Sequence, residues 1–123
     1  MTGVLAWVGV AVFGAVGALL RFEVSSAITK RHPSRFPYGT FAVNITGAFL
    51  LGLLTGAELS GKPLLVFGTG LLGAYTTFST WMVEAERLAE AREWLHLILY
   101  LAGSMLAGLA AAGLGWILGG AFA

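Results

Sequence analysis

The stretch Pro63–Val83, PLLVFGTGLLGAYTTFSTWMV, decides how this chain folds, because it contains no charged side chain from end to end. An α-helix rises about 1.5 Å per residue and the hydrocarbon core of a bilayer is about 30 Å thick, so this stretch is long enough to cross a membrane. Its second half mixes glycines with hydroxyl and aromatic residues, a combination that disfavours an uninterrupted helix. We therefore predict a membrane-spanning helix at residues 63–90 with a break near residues 73–80. The alternative is a continuous helix whose Ser and Thr hydroxyls bond back to the preceding turn.

Three further stretches without Asp, Glu, Lys or Arg are long enough to span a bilayer: Met1–Leu20, Phe36–Ala57 and Trp94–Ala123. The first lacks the basic start and the cleavage site of a secretory signal, so it is kept as a mature helix. The fold class expected is an all-α membrane protein, a single integral membrane domain over residues 1–123 with four transmembrane helices. The predicted spans lie at about residues 3–28, 37–58, 63–90 and 94–120.

The composition agrees with a lipid environment. Hydrophobic residues make up 58% of the chain and charged residues 11%, whereas soluble domains have roughly 45–50% and about 25%. The seven Lys and Arg nearly balance the six Asp and Glu, so the chain has no large net charge that would indicate binding to nucleic acid. Cysteine is absent, which excludes disulfides, thiolate metal sites and a cysteine nucleophile. The connections between the spans are short, so we expect the function to lie within the membrane.

The basic residues are distributed unevenly between the loops. Lys62 is alone on the side of the second loop and both termini, while the other face carries Lys30, Arg31, Arg35, Arg87 and Arg92. Cytoplasmic loops retain Lys and Arg, so this asymmetry predicts that both termini lie outside.

Small residues four positions apart predict faces at which helices approach closely in lipid. Such pairs are Gly14 with Ala18, Gly52 with Gly56, and Gly115 with Gly119. A four-helix subunit packs around its own side chains and leaves no aqueous lumen. Any pathway for a solute therefore requires an oligomer.

Polar residues inside the spans are few, and the burial of each is costly unless it has a partner or a function. Asn44 lies on one helical face with Thr40, and its amide has four hydrogen-bonding positions to satisfy. In the last span Tyr100, Ser104 and Gly108 form a stripe at a spacing of four. Interhelical hydrogen bonding is the alternative role for these groups. A broken third helix would free backbone carbonyls, which are ligands for a cation such as Na⁺.

Three motifs together resemble the fluoride channels of the Fluc, or CrcB, family: GAVGALLRF at residues 14–22, PYGTFAVNITG at 37–47 and GLLGAYTTFSTW at 70–81. That family forms antiparallel, dual-topology dimers with two fluoride pores and a structural Na⁺ at the two-fold axis. The resemblance implies passive export of fluoride across the inner (plasma) membrane, which reduces cytoplasmic fluoride toxicity, and no enzymatic activity. It also implies a homodimer, while the strong basic asymmetry keeps a heterodimer with a paralogue open.

The resemblance assigns roles to individual positions. The implied fluoride-pore residues are Asn44, Phe78, Ser79, Thr80, Trp81, Tyr100 and Ser104. Arg21 matches a vestibule arginine, with simple interfacial anchoring as its alternative role, and the backbone carbonyls of Gly73 and Thr76 match the Na⁺ ligands. Two positions depart from the family pattern: Trp81 stands in place of a second phenylalanine, and Gly108 in place of a hydroxyl residue.

Two other classes of function are weighed against a channel. A small multidrug-type, proton-coupled transporter requires a carboxylate embedded in the membrane, but the acidic residues fall at or beyond the ends of the predicted spans. A membrane hydrolase requires a nucleophile beside a base, but His32 lies in a loop and His96 begins the last span. A purely structural subunit would need neither Asn44 nor the hydroxyl cluster at residues 76–80.

Overall fold

The computed structural model describes residues 2–123, and all the regular secondary structure in that range is helical. This confirms the all-α prediction; Met1, the first residue of the predicted domain, lies outside the described range. We number the helices α1 to α5 and treat three consecutive helical pieces as α3. Their bounds are Thr2–Arg31 for α1, Tyr38–Gly56 for α2, Gly61–Tyr75 for α3, Ser79–Glu90 for α4 and Trp94–Gly120 for α5.

Within residues 2–123, three helices are long and apolar enough to cross a membrane. They are α1, α2 and α5, whose most apolar 18-residue windows have mean hydropathies of 2.2, 1.4 and 1.9. These helices support the prediction of a multi-pass membrane protein. The predicted span at residues 63–90 falls on two separate helices, α3 and α4.

Helix α3 changes its hydrogen-bonding pattern along its length. It begins with an α-helical turn, Gly61–Leu64, continues as a π-helix over Leu65–Leu72, and ends with a second α-helical turn, Gly73–Tyr75. The next residue, Thr76, has extended backbone angles, φ −82° and ψ 158°, which end the helix. Residues 76–78 are not helical, and we call them the link between α3 and α4.

Helices α2 and α5 pack closely against each other at glycine residues. A Cβ atom added at Gly52 or Gly56 would collide with the backbone of α5, and one added at Gly115 or Gly119 would collide with the backbone of α2. The predicted packing role of these four glycines is confirmed. Because lipid supplies no hydrophobic drive for helix association, this close approach of backbones provides the van der Waals contact that holds the two helices together.

Helix α1 packs against α3, but not through the predicted pair of small residues. The predicted pair was Gly14 and Ala18, whereas Gly17 is the buried residue at which a Cβ would collide with the carbonyl of Leu71. A Cβ at Gly14 would meet the carbonyl oxygen of Gly70 at 3.7 Å, an ordinary contact. The spacing of four therefore identified the correct face of α1 but not the residue at the closest approach.

Two small clusters of buried side chains lie on either side of the link. Val43, Leu72 and Tyr75 form one, between α2 and the end of α3. Tyr100 is the centre of the other, where Ala85 and Leu88 of α4 meet α5. The link thus joins two packed regions, one at the end of α3 and the other at α4.

Candidate functional site

Asn44 of α2 binds the backbone of the link through both ends of its amide. Its Nδ2 donates to the carbonyl oxygen of Thr77 at 2.9 Å, and its Oδ1 accepts from the N–H of Thr77 at 2.8 Å. Thr77 is buried, with 9% of its surface exposed. This pair of hydrogen bonds replaces the helical partners that Thr77 loses because the chain is not helical at this point.

The break in the helix leaves the carbonyls at the end of α3 without their helical donors, and two of those donors bind side chains instead. In a continuous α-helix the N–H of Thr77 would bond to the carbonyl of Gly73, and that of Thr80 to the carbonyl of Thr76. Here the Thr77 N–H binds Asn44, and the Thr80 N–H donates to the Thr77 Oγ1 at 3.2 Å. The carbonyls of Gly73 and Thr76, the two predicted as Na⁺ ligands, are the ones whose helical donors are diverted to side chains.

Two grooves meet at Asn44 and Trp81. The larger, of about 370 Å³, contains Gly73, Thr76 and Phe78 in its lining, and the smaller, of about 150 Å³, contains Ser104. The structure therefore brings five of the predicted pore and Na⁺ positions around Asn44 from three helices and the link.

Three buried side-chain polar atoms of α4 and α5 make no hydrogen bond of normal geometry within residues 2–123. They are the Nε1 of Trp81, the hydroxyl of Tyr100 and the Oγ of Ser104. Buried polar groups in native proteins nearly always have a partner, and each exception costs about 1–3 kcal/mol. All three belong to the predicted pore set, so this free hydrogen-bonding capacity lies where the sequence placed an ion pathway.

Aromatic rings connect these groups edge to face. The ring centroids of Phe78 and Trp81 are 5.7 Å apart, with an angle of 62° between the ring planes. Those of Trp81 and Tyr100 are 6.4 Å apart, with an angle of 64° between the planes. Tyr100 has no exposed surface, since Phe36 of the loop before α2 also packs on it, at 5.4 Å and 84°. Phe78 is the opposite case: 70% of its surface is exposed. In a single copy of the chain, one end of this aromatic row is open and the other is covered.

Arg21 lies in a separate groove of about 230 Å³ on the other side of the link. Thr40 and Thr80 share this groove with it, and Thr77 also lines it. The structure thus brings Arg21 and Thr80 together, and Thr77 also lines the groove that holds Asn44 and Phe78. Ser79 lines a further groove of about 360 Å³, also beside Thr80.

Sequence reasoning missed two partners at this site. Thr77 was quoted within the hydroxyl cluster but given no role, although it receives both hydrogen bonds of Asn44; the four hydrogen-bonding positions of that amide were the available signal. Thr40 donates a hydrogen bond to the carboxylate of Glu84 on α4. No spacing in the sequence indicates that contact, because 44 residues separate the two side chains.

Comparison with known proteins is consistent with this geometry. The family described as "CrcB-like protein, Camphor Resistance (CrcB)" matches residues 8–116, which include every residue of the site. The chain belongs to the CrcB family. The resemblance seen in the sequence motifs is therefore confirmed.

Several similar CrcB-family proteins carry a functional name. "Fluoride-specific ion channel FluC 2" of Mycobacterium tuberculosis is 50% identical over 112 residues, which cover 90% of this chain and 89% of that protein. The protein of the same name from Mycolicibacterium paratuberculosis is 49% identical over 115 residues, 94% of each chain. "Fluoride-specific ion channel FluC 1" of Leifsonia xyli is 45% identical over 115 residues, 90% of this chain and 84% of that protein.

Proposed function

We propose that this CrcB-family chain forms a fluoride-selective channel through which F⁻ leaves the cell passively across the plasma membrane, lowering the fluoride load of the cytoplasm. The observation that carries the proposal is the pair of buried, neutral groups without a hydrogen-bond partner at Trp81 and Ser104, in the groove that Asn44 also lines. The names of the similar proteins, which denote ion channels and not enzymes or drug transporters, support the choice of ion.

Neutral donors suit the transport of a small, strongly hydrated anion. A fixed positive charge in the pore would hold the ion, whereas a series of weaker sites replaces its water and still lets it leave. Hydroxyl and indole donors, the second N–H of the Asn44 amide, and the electropositive edges of the rings of Phe78 and Trp81 provide such a series. Arg21, outside this series, raises the local anion concentration at the mouth.

A dimer completes the pathway. Phe78, Ser79 and Thr80 are exposed in the single chain, and the grooves around Asn44 are open on one side. A second copy packed over this face encloses the grooves and removes Phe78 from lipid. The arrangement proposed is an antiparallel homodimer with dual topology; a heterodimer with a paralogue meets the same need and accommodates the uneven basic loops.

The third transmembrane segment in this proposal consists of α3, the link and α4. Non-helical backbone at membrane depth persists where it is buried in protein or lines a cavity, and the link does both. The diverted carbonyls of Gly73 and Thr76 are oxygen ligands of the kind that bind Na⁺ in interrupted membrane helices. A structural Na⁺ held there would stabilise the dimer and keep the field beside the anion path positive.

Purified protein in liposomes tests the proposal. Vesicles loaded with potassium fluoride and given valinomycin are expected to release fluoride rapidly, while matched vesicles loaded with potassium chloride release little chloride. Equal rates for the two anions would refute selectivity. Proton movement driven by a cationic drug, without fluoride release, would replace the channel with the transporter alternative.

The dimer and its topology need a separate measurement. The chain contains no cysteine, so a single cysteine is added at its C-terminus. About half of these cysteines are expected to react with a membrane-impermeant thiol reagent in intact cells, and the other half only after the cells are opened. Labelling from one face alone would contradict dual topology and would favour the heterodimer.

A further inference from the structure

We infer that Asn44 is the positioning residue of the proposed Na⁺ site: its Oδ1 takes the N–H of Thr77 away from the carbonyl of Gly73 and so keeps that oxygen available to the cation. This inference rests on the proposed function, since it concerns the Na⁺ that the function includes. It gives Asn44 a task in addition to facing the anion.

The Asn44 amide uses two of its hydrogen-bonding positions on the backbone of Thr77 and keeps one N–H for the anion. Oδ1 accepts from the Thr77 N–H at 2.8 Å, and one N–H of Nδ2 donates to the Thr77 carbonyl at 2.9 Å. The second N–H of Nδ2 remains for the groove that Ser104 and Trp81 line. One side chain thus fixes the backbone of the link and also faces the proposed anion path.

Competition for the Thr77 N–H explains why the position of Oδ1 matters. Without this acceptor, the nearest helical acceptor for that N–H is the carbonyl of Gly73, four residues earlier. Extension of α3 by one residue would then occupy the oxygen that the cation needs. Only 9% of the surface of Thr77 is exposed, so water competes little for its N–H and a protein acceptor decides where that N–H bonds.

Gly47, one turn after Asn44 on α2, leaves room for this arrangement. A Cβ at Gly47 would collide with the methyl group of Thr76. The link can therefore approach α2 closely enough for the Asn44 amide to reach it. The two residues on α2 act together, one by the absence of a side chain and the other by its hydrogen bonds.

A titration with Na⁺ tests the inference without measuring transport. The apparent melting temperature of the purified full-length protein is followed as NaCl replaces N-methyl-D-glucamine chloride at constant ionic strength, with no fluoride present. The wild type is expected to melt higher as Na⁺ rises, which gives a half-maximal Na⁺ concentration. Asn44→Ala is expected to raise that concentration about 10–100-fold, the usual cost of losing a residue that orients a metal ligand.

Thr46→Val is the matched control. Thr46 also joins α2 to α3, through a 2.9 Å hydrogen bond to the hydroxyl of Tyr75. Its other hydrogen bonds, to the carbonyls of Ala42 and Val43, stay within α2. Its loss is expected to lower the melting temperature at every Na⁺ concentration and to leave the half-maximal concentration unchanged. Asn44→Asp retains an acceptor for the Thr77 N–H, so its half-maximal concentration is expected to be no higher than that of the wild type, although fluoride release from liposomes stops.

The outcomes separate the inference from the function on which it rests. A wild type whose melting temperature ignores Na⁺ would refute both the Na⁺ site and the role of Asn44. A wild type that responds, with Asn44→Ala responding at the same concentrations, would overturn only the inference. If Asn44→Ala does not fold, Asn44→Asp decides: a loss of its Na⁺ response would overturn the inference, and retention supports it.

Discussion

The contact between α2 and α5 and the link between α3 and α4 solve the same problem of packing in lipid by opposite means. The first uses residues without side chains, so that two backbones touch along Gly52, Gly56, Gly115 and Gly119. The second uses polar side chains, which satisfy a backbone that is no longer helical. The glycine contact is made by backbone atoms, whereas the grooves beside the link are lined by Trp81 and Ser104, whose polar atoms have no partner within residues 2–123.

The contrast predicts that stability and the proposed conduction depend on separate parts of a very small protein. Changes at the glycine contact are expected to act on folding, and changes at the grooves are expected to act on flux with little effect on folding. Substitutions in each region test that division.

The largest effect is expected from Gly115→Leu. A Cβ at this position meets the backbone of α2 around Phe49, which cannot move aside as a flexible side chain would. A larger side chain forced into a packed contact lowers the free energy of unfolding by about 3 kcal/mol. The variant is therefore expected to melt at a much lower temperature or to aggregate on purification. Gly113→Leu, on the same helix but with open space at its Cβ, is the control. Similar melting curves for the two variants would break the division.

The next largest effect is expected from Phe78→Leu. The substitution keeps a large apolar side chain but removes the ring edge proposed to face the anion. A loss of about 1.4 kcal/mol of stabilisation is expected to slow fluoride release about tenfold. The melting temperature is expected to change little, because leucine keeps a large apolar side chain where the second copy is proposed to pack. Phe122→Leu, at an exposed position near the C-terminus, is the control. Undiminished release from the Phe78 variant would remove this residue from the pathway.

A smaller effect is expected from Ser104→Ala. The change removes one unpartnered hydroxyl from the groove beside Asn44. A neutral hydrogen bond contributes about 1 kcal/mol, so release is expected to slow about fivefold, measured in the same liposomes. Because the hydroxyl has no partner within residues 2–123, the variant is expected to be as stable as the wild type or more so. Clear destabilisation would show that the hydroxyl is structural.

The smallest effect is expected from Tyr75→Phe. It removes the hydrogen bond to the Oγ1 of Thr46, which joins α2 to the end of α3 next to the link. The expected loss is about 1 kcal/mol of unfolding free energy, seen as a small drop in melting temperature. Fluoride release is expected to be unchanged, which places Tyr75 with the packing residues although it stands beside the site.

Sequence patterns predicted the elements of this fold better than the contacts between them. Uncharged stretches and helical spacing identified α1, α2 and α5, because length and hydropathy are local properties. The closest approach of α1 fell at Gly17 and not at Gly14 or Ala18, since it depends on the position of Leu71, which no local pattern encodes. The motif resemblance supplied the site residues, but the pairing of Asn44 with Thr77 appears only once two distant segments are side by side.

The π-helical segment Leu65–Leu72 limits which insertions and deletions α3 can tolerate. A π-helix bonds residues five apart and an α-helix residues four apart. Deletion of a single residue would let this segment re-form as an ordinary α-helix, and every later position would shift by one in register. Gly73 and Thr76 would then turn away from Asn44. The connection before Gly61 is therefore expected to tolerate insertions and deletions, whereas even one deletion within the π-helical segment would move Gly73 and Thr76 relative to α2.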